Sequence, residues 1–145
     1  MKRWLHVVLL LSLVAVSPDS LARTLVLIAS AEAPEQSLDA LAMRKLFLGL
    51  PVSTAGVTLH PLLNDSEPTI DDAFLQYIVS MSQSAYDRHI LTLLNTRGQP
   101  RPPQFISLPI LLAHLEADPH AVSYCWQEEI ESNPKIKVLR VLWHE

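Results

Sequence analysis

The residues best suited to chemistry in this chain are a hydroxyl-rich turn and a pair of arginines. Residues 64–69 read Asn64-Asp65-Ser66-Glu67-Pro68-Thr69 and fall between a strand-like run and a helical stripe. Unpaired N–H groups at a helix start point outward with the positive end of the dipole, which suits an oxyanion. Ser66 and Thr69 add hydroxyl donors, and Asp65 can accept from a protonated ligand oxygen. The same residues also fit a plain structural role, with Ser66 or Thr69 capping the helix and Thr69 pairing with Asp72 as an Asp-for-Glu capping box. Two features oppose an anion: Pro68 removes one N–H donor, and Glu67, Asp71 and Asp72 satisfy the dipole themselves. Arg97 and Arg101 are either a clamp for an anion held at the turn or solvated loop charges.

Covalent and metal chemistry finds less support. The sequence holds no Gly-x-Ser-x-Gly elbow, phosphate-cradling glycine loop or His-Glu-x-x-His stretch, so no catalytic residue, cofactor or metal is assigned. His60, His89, His114, His120 and His144 show no ligand spacing distinguishable from chance, and a site joining His114, His120 and Cys125 is only a remote alternative. Cys125 is the single cysteine, which excludes an internal disulfide and reads as a buried thiol on a strand.

The elements that position these residues alternate between strand and helix. Leu25 to Ile28 form an apolar, β-rich run suited to a strand buried on both faces. A helix is predicted at 38–48, with Ser37 as N-cap, Arg44 and Lys45 in its last turn and Gly49 at C′. Residues 57–63 return to strand character, Pro61 placing them at an edge or bulge. Ile70, Phe74, Tyr77, Ile78 and Met81 give one helical stripe. Ser84 and Asp87 suggest the cap of a third helix that buries Tyr86, Ile90, Leu93 and Leu94. Residues 95–104 form a stiff, proline-rich loop. A helix at 107–117 follows, with Leu108, Leu111, Leu112 and Leu115 at i, i+3, i+4 and i+7. Val122, Tyr124 and Trp126 alternate as strand residues, residues 127–135 make an acidic, solvated loop, and residues 136–142 form a last strand.

Composition sets the class and the compartment. The 145 residues carry a formal charge of −4, and no basic stripe offers a nucleic-acid surface. Lys2 and Arg3, an apolar run over residues 4–16 and Ser20-Leu21-Ala22 read as a signal peptide over 1–22. The apolar run is too short for a permanent span. One domain at 23–145, working in the periplasm without a membrane span, is the expectation.

Several phrases, taken in order, carry a family likeness. They are Met43-Arg44-Lys45-Leu46-Phe47-Leu48-Gly49, Asn64-Asp65-Ser66 before Phe74-Leu75, Met81-Ser82 before Tyr86, Thr96-Arg97-Gly98-Gln99-Pro100, and Pro119-His120-Ala121-Val122-Ser123-Tyr124. In them the chain resembles the phosphate-type substrate-binding proteins of ABC transporters, specifically short secreted members with a single lobe. The resemblance implies an α/β lobe with a mixed sheet of about five strands flanked by helices. It further implies weak binding of phosphate or another small oxyanion by Asp65, Ser66 and Thr69, with Arg97 and Gly98 beside them. Binding is expected to be weak because Glu67, Pro68 and Ile70 stand where relatives carry a Ser-Gly-Thr-Arg type loop. A second reading, from a different class, is a ligand-free interaction module docking on a transporter, a sensor kinase or another envelope protein.

Overall fold

The computed structural model describes residues 22–35 and 37–145; the leader expected at 1–22 lies, Ala22 aside, outside the described residues. The elements in chain order are β1 (Thr24–Ser30), α1 (Ala40–Phe47), β2 (Ser53–Thr54), β3 (Val57–Thr58), β4 (His60–Pro61), β5 (Leu63–Asn64), α2 (Pro68–Ala73), α3 (Gln83–Arg97), β6 (Gln104–Phe105), α4 (Leu108–Ala117), β7 (Ala121–Trp126) and β8 (Ile136–His144). A π-helical segment, Phe74–Val79, continues α2, and a 3₁₀ turn, Gln127–Glu129, follows β7.

The main sheet is mixed and has four strands in the order β4-β7-β1-β8. β1 runs antiparallel to both β7 and β8, while β4 runs parallel to β7. It has four strands where about five are expected, and residues 57–63, read as one run, divide among three short strands. β3 folds back on β2, β4 takes the sheet edge, and β5 leaves the sheet to pair with β6 in parallel. Pro61, which has no N–H to give a second neighbour, sits at that edge as its chemistry requires.

The apolar run of β1 is explained by core on both of its faces. Leu25 and Leu27 pack with Phe47, Phe74 and Tyr124, beneath α1, α2 and α3; Val26 and Ile28 pack with Leu111 and Leu115 of α4. β7 is buried at all six positions, so its alternation separates two cores and not core from solvent. Cys125 lies on the α4 side, fully buried, and burial pushes its thiol far above the ordinary range. It is a core residue with no accessible thiolate.

Several local expectations are corrected. Asp39, not Ser37, caps α1, its carboxylate accepting from the Ala42 amide at 2.7 Å; Gly49 follows the C-cap with φ +80°, the conformation glycine tolerates. Ser82, not Ser84, caps α3 by accepting from the Ala85 amide. Leu94 stands at the margin of the α3 stripe and is exposed. The stripe of residues 70–81 is real, but its second half is π-helical, and the wider turn buries Ile78 and Val79 together before Ser80 ends it at φ +54°. The acidic stretch after β7 is partly tied back: Glu128 accepts from the Thr24 amide and Glu129 from the Trp126 amide.

Candidate functional site

The turn at residues 64–69 is built from the end of β5 and is held from below. Asn64 is buried; its amide N–H donates to the Tyr124 hydroxyl at 3.1 Å and its side-chain Nδ2 to the Tyr124 carbonyl at 2.9 Å. Asn64 Oδ1 then accepts from the Ser66 amide at 3.1 Å, and the Asp65 amide donates to the Phe105 carbonyl at 2.8 Å. Two of the N–H groups expected to face an anion are therefore spent inside the fold, and Pro68 supplies none. The competing cap does not form either. Glu67 occupies the N-cap position without a side-chain cap bond, and the Thr69 hydroxyl donates to Glu67 Oε1 at 2.8 Å.

The turn has two sides, and they differ in chemistry. On one side Glu67 Oε1 also accepts from Arg23 Nη1 at 2.8 Å and from the Trp126 indole N–H. The Arg23 guanidinium lies over the Trp126 ring, 4.8 Å from its centre. Trp143 meets Trp126 edge-on and stacks on Tyr77 at 5.0 Å. Burial alone would raise the Glu67 carboxyl, but the hydrogen bonds from Thr69, Trp126 and Arg23, with the Arg23 charge, hold it below the ordinary carboxylate range.

The other side opens into a polar cavity of about 230 Å³ lined by Asn64, Asp65, Asp71, Arg101, Gln104 and Tyr124 among others, with Phe74 at its apolar wall. Gln104 Nε2 donates to Asp65 Oδ2 at 2.9 Å, and Arg101 Nη2 donates to Asp87 Oδ1. Arg101 also stands over the Tyr86 ring at 5.6 Å. The Asp87 carboxyl is held low by the hydrogen bonds from Arg101 and Gln83. Asp71 is the opposite case: burial, then the like charges of Asp65, Asp72 and Asp87, raise its carboxyl, and Arg101 offsets this only in part. Burial also pushes the Tyr86 hydroxyl up to about 12 and Tyr124 well above its usual value, so both are neutral hydrogen-bonding groups.

The candidate residues are thus dispersed. Asp65 lines the cavity, whereas Ser66, Thr69, Arg97 and Gly98 are not among its lining residues. Arg97 ends α3 in an exposed position and Gly98 follows as its left-handed C-cap, φ +63°. The cation that lines the cavity is Arg101, which the proline-rich loop brings back before β6 pairs with β5; Arg23 reaches the turn from the other side. Asp71 and Gln104 also line the cavity, and neither had a ligand role in the sequence reading. A helical period placed Asp71 one turn into α2 but could not show that it faces the cavity.

No protein-family model matches the sequence, and no curated protein matches it. Among solved structures, one described as a possible phosphate binding protein from Planctomyces limnophilus DSM 3776 superposes with a TM-score of 0.57 at 10% identity, over 82% of this chain. A substrate binding domain assigned to a molybdenum ABC transporter from Clostridium difficile also covers 82% of this chain, at 20% identity and a TM-score of 0.41. This chain spans 41% and 42% of the length of those two chains. The first superposition shows that the two chains share a mixed α/β fold over that span. Among the described residues no helix is long and apolar enough to cross a membrane.

Proposed function

We propose that this domain is a solute-binding module, related in fold to ABC transporter substrate-binding components, that takes a small oxyanion weakly and in its protonated form. The observation that carries the reading is the juxtaposition, in one polar cavity, of the Arg101 guanidinium with the raised carboxyl of Asp71. An arginine supplies charge-assisted donors to an oxyanion. The Asp71 carboxyl, raised by burial and by neighbouring like charges, donates to a ligand oxygen when it holds its proton, and Asp65 can accept from an oxygen that keeps its own. Three carboxylates around one arginine oppose a fully ionised ligand, which makes binding weak at neutral pH and stronger as pH falls. No reacting group is assigned, and the role is binding without catalysis.

We further propose that residues 1–22 are an export signal and that residues 23–145 act in the periplasm. The charged start, short apolar run and Ser20-Leu21-Ala22 support this. N-terminal sequencing of periplasmic material decides it: a chain beginning near Arg23 is expected, and one that still begins at Met1 overturns it.

Calorimetric titration with inorganic phosphate at two pH values tests the ligand. Binding at pH about 5 is expected to exceed that at pH about 8, because phosphate takes up a proton between them and is then repelled less by Asp65 and Asp71. Absence of heat and of thermal shift at tens of millimolar phosphate at both pH values overturns the reading.

A further inference from the structure

His60 and His120 are far apart in the chain and side by side in the fold. β4 runs parallel to β7 with His60 opposite Ala121, and the His60 amide donates to the His120 carbonyl at 2.9 Å. That pairing fixes the two backbones, and the imidazoles meet edge-on with ring centres 6.1 Å apart. Asp118, in the turn between α4 and β7, ties the arrangement together. Its Oδ2 lies 2.8 Å from His60 Nδ1, and its Oδ1 accepts from the His120 amide at 2.9 Å.

The Asp118 contact decides which ring nitrogen of His60 is available. Facing an ionised carboxylate, Nδ1 carries the proton and the lone pair resides on Nε2. A carboxylate behind an imidazole is the arrangement that fixes the tautomer and orientation of metal-ligating histidines. The geometry is within reach of a shared ion. With metal–nitrogen bonds of about 2.0–2.1 Å, two imidazoles on one tetrahedral ion have ring centres about 5 Å apart. His60 is exposed and His120 partly so, leaving both side chains room for the small χ rotation that closes the difference.

We infer that His60 and His120 form a two-imidazole chelate for a first-row divalent transition metal ion, with Asp118 as the positioning residue behind His60. Among the described residues no group of three potential ligands converges, so water completes the coordination and affinity is that of a two-residue site. The chelate lies at the β4 edge of the sheet and uses none of the residues proposed to hold the oxyanion.

Titration of the untagged protein with Zn²⁺ and with Cu²⁺ tests it. Micromolar binding is expected, tighter for Cu²⁺ as the general order of divalent affinities requires. His60→Ala and His120→Ala should each abolish it, Asp118→Asn should weaken it about tenfold, and His114→Ala should leave it unchanged. Cu²⁺ should broaden the ring resonances of His60 and His120 first in the unmutated protein, a readout independent of whether the variants fold. Absence of binding at millimolar metal, or binding that survives loss of both histidines, overturns the chelate. An Asp118→Asn protein with lower thermal stability but unchanged metal affinity overturns the positioning role.

Discussion

Glu67 at the N-cap of α2 and Asp71 four residues on, inside that helix, carry carboxylates that the fold treats in opposite ways. Glu67 receives three donors on one oxygen, from Arg23, Thr69 and Trp126. Asp71 faces a cavity in which its nearest charged company is mostly acidic. The first side is a structural joint that fastens the start of β1 and the end of β7 to α2, beside an open cleft of about 260 Å³ lined by Arg23, Thr69, Trp126 and Trp143 among others. The second keeps a carboxyl only partly compensated, and uncompensated polar groups persist where a ligand can complete them. Sequence composition treats the two residues alike; which donors reach them makes one a strut and the other a candidate ligand group.

The largest expected effect tests the wall that the open side depends on. Phe74 is buried, stacks on Tyr124 at 5.0 Å and meets Phe47 and Tyr86 edge-on. Phe74→Ala should cost about 3–5 kcal/mol in a denaturant titration. A cost below about 1 kcal/mol would mean that the cavity wall is not part of the core, and the contrast between a compensated and an uncompensated carboxylate would lose its structural basis.

Two intermediate effects separate the sides. Arg101→Met should remove a charge-assisted contact worth about 1.5–3 kcal/mol and so weaken phosphate binding at pH about 5 by tenfold or more. Arg97→Met should leave binding unchanged, since Arg97 does not line the cavity; the reverse pattern would restore the assignment made from sequence. Glu67→Ala should leave phosphate binding intact but cost about 1–3 kcal/mol in stability, because the Trp126 indole N–H, on a buried ring, loses its acceptor. Loss of binding with unchanged stability would exchange the roles of the two carboxylates.

How much of this was legible in the sequence follows from the range of each interaction. The β1 run, the Leu stripe of α4, Gly49 past the end of α1 and Pro61 at an edge are local signals, and each is placed as its chemistry predicts. Caps were mislocated by two residues because Ser82 and Ser84, like Ser37 and Asp39, are chemically equivalent candidates, and only backbone geometry chooses between them. The π segment was invisible because a turn of i→i+5 bonds changes the apolar period too little over six residues to register. Site residues were the least legible. Arg97 and Arg101 have the same charge in what reads as one loop at 95–104, but α3 runs on through Arg97, and the choice between them depends on where β6 pairs with β5. His60 and His120 meet only because β4 lies beside β7, a contact across sixty positions that no spacing rule reports.

The smallest effect is the most direct test of the contrast, because the two carboxylates should titrate with opposite sign. Glu67 has a folded pKa below its ordinary value of 4.5. The stability it contributes is complete above that value and is lost as pH falls through the lower folded pKa. Asp71 has a folded pKa above its ordinary value of 3.8, so the folded state binds its proton more tightly than the unfolded chain does. Its penalty is present at neutral pH and disappears as pH falls through the folded pKa toward 3.8. Asp71→Asn should therefore stabilise the protein at pH 7 by less than about 1 kcal/mol, since the group is only partly buried and screened by water. The gain should shrink to nothing as the unmutated protein protonates. Glu67→Gln should show the reverse, a deficit at pH 7 that narrows only below the ordinary glutamate range. Measuring both difference curves by denaturant titration at intervals from pH 3 to pH 8 checks the pair together. Two curves of the same sign would mean that burial alone governs both carboxylates and that the donors around Glu67 contribute nothing specific.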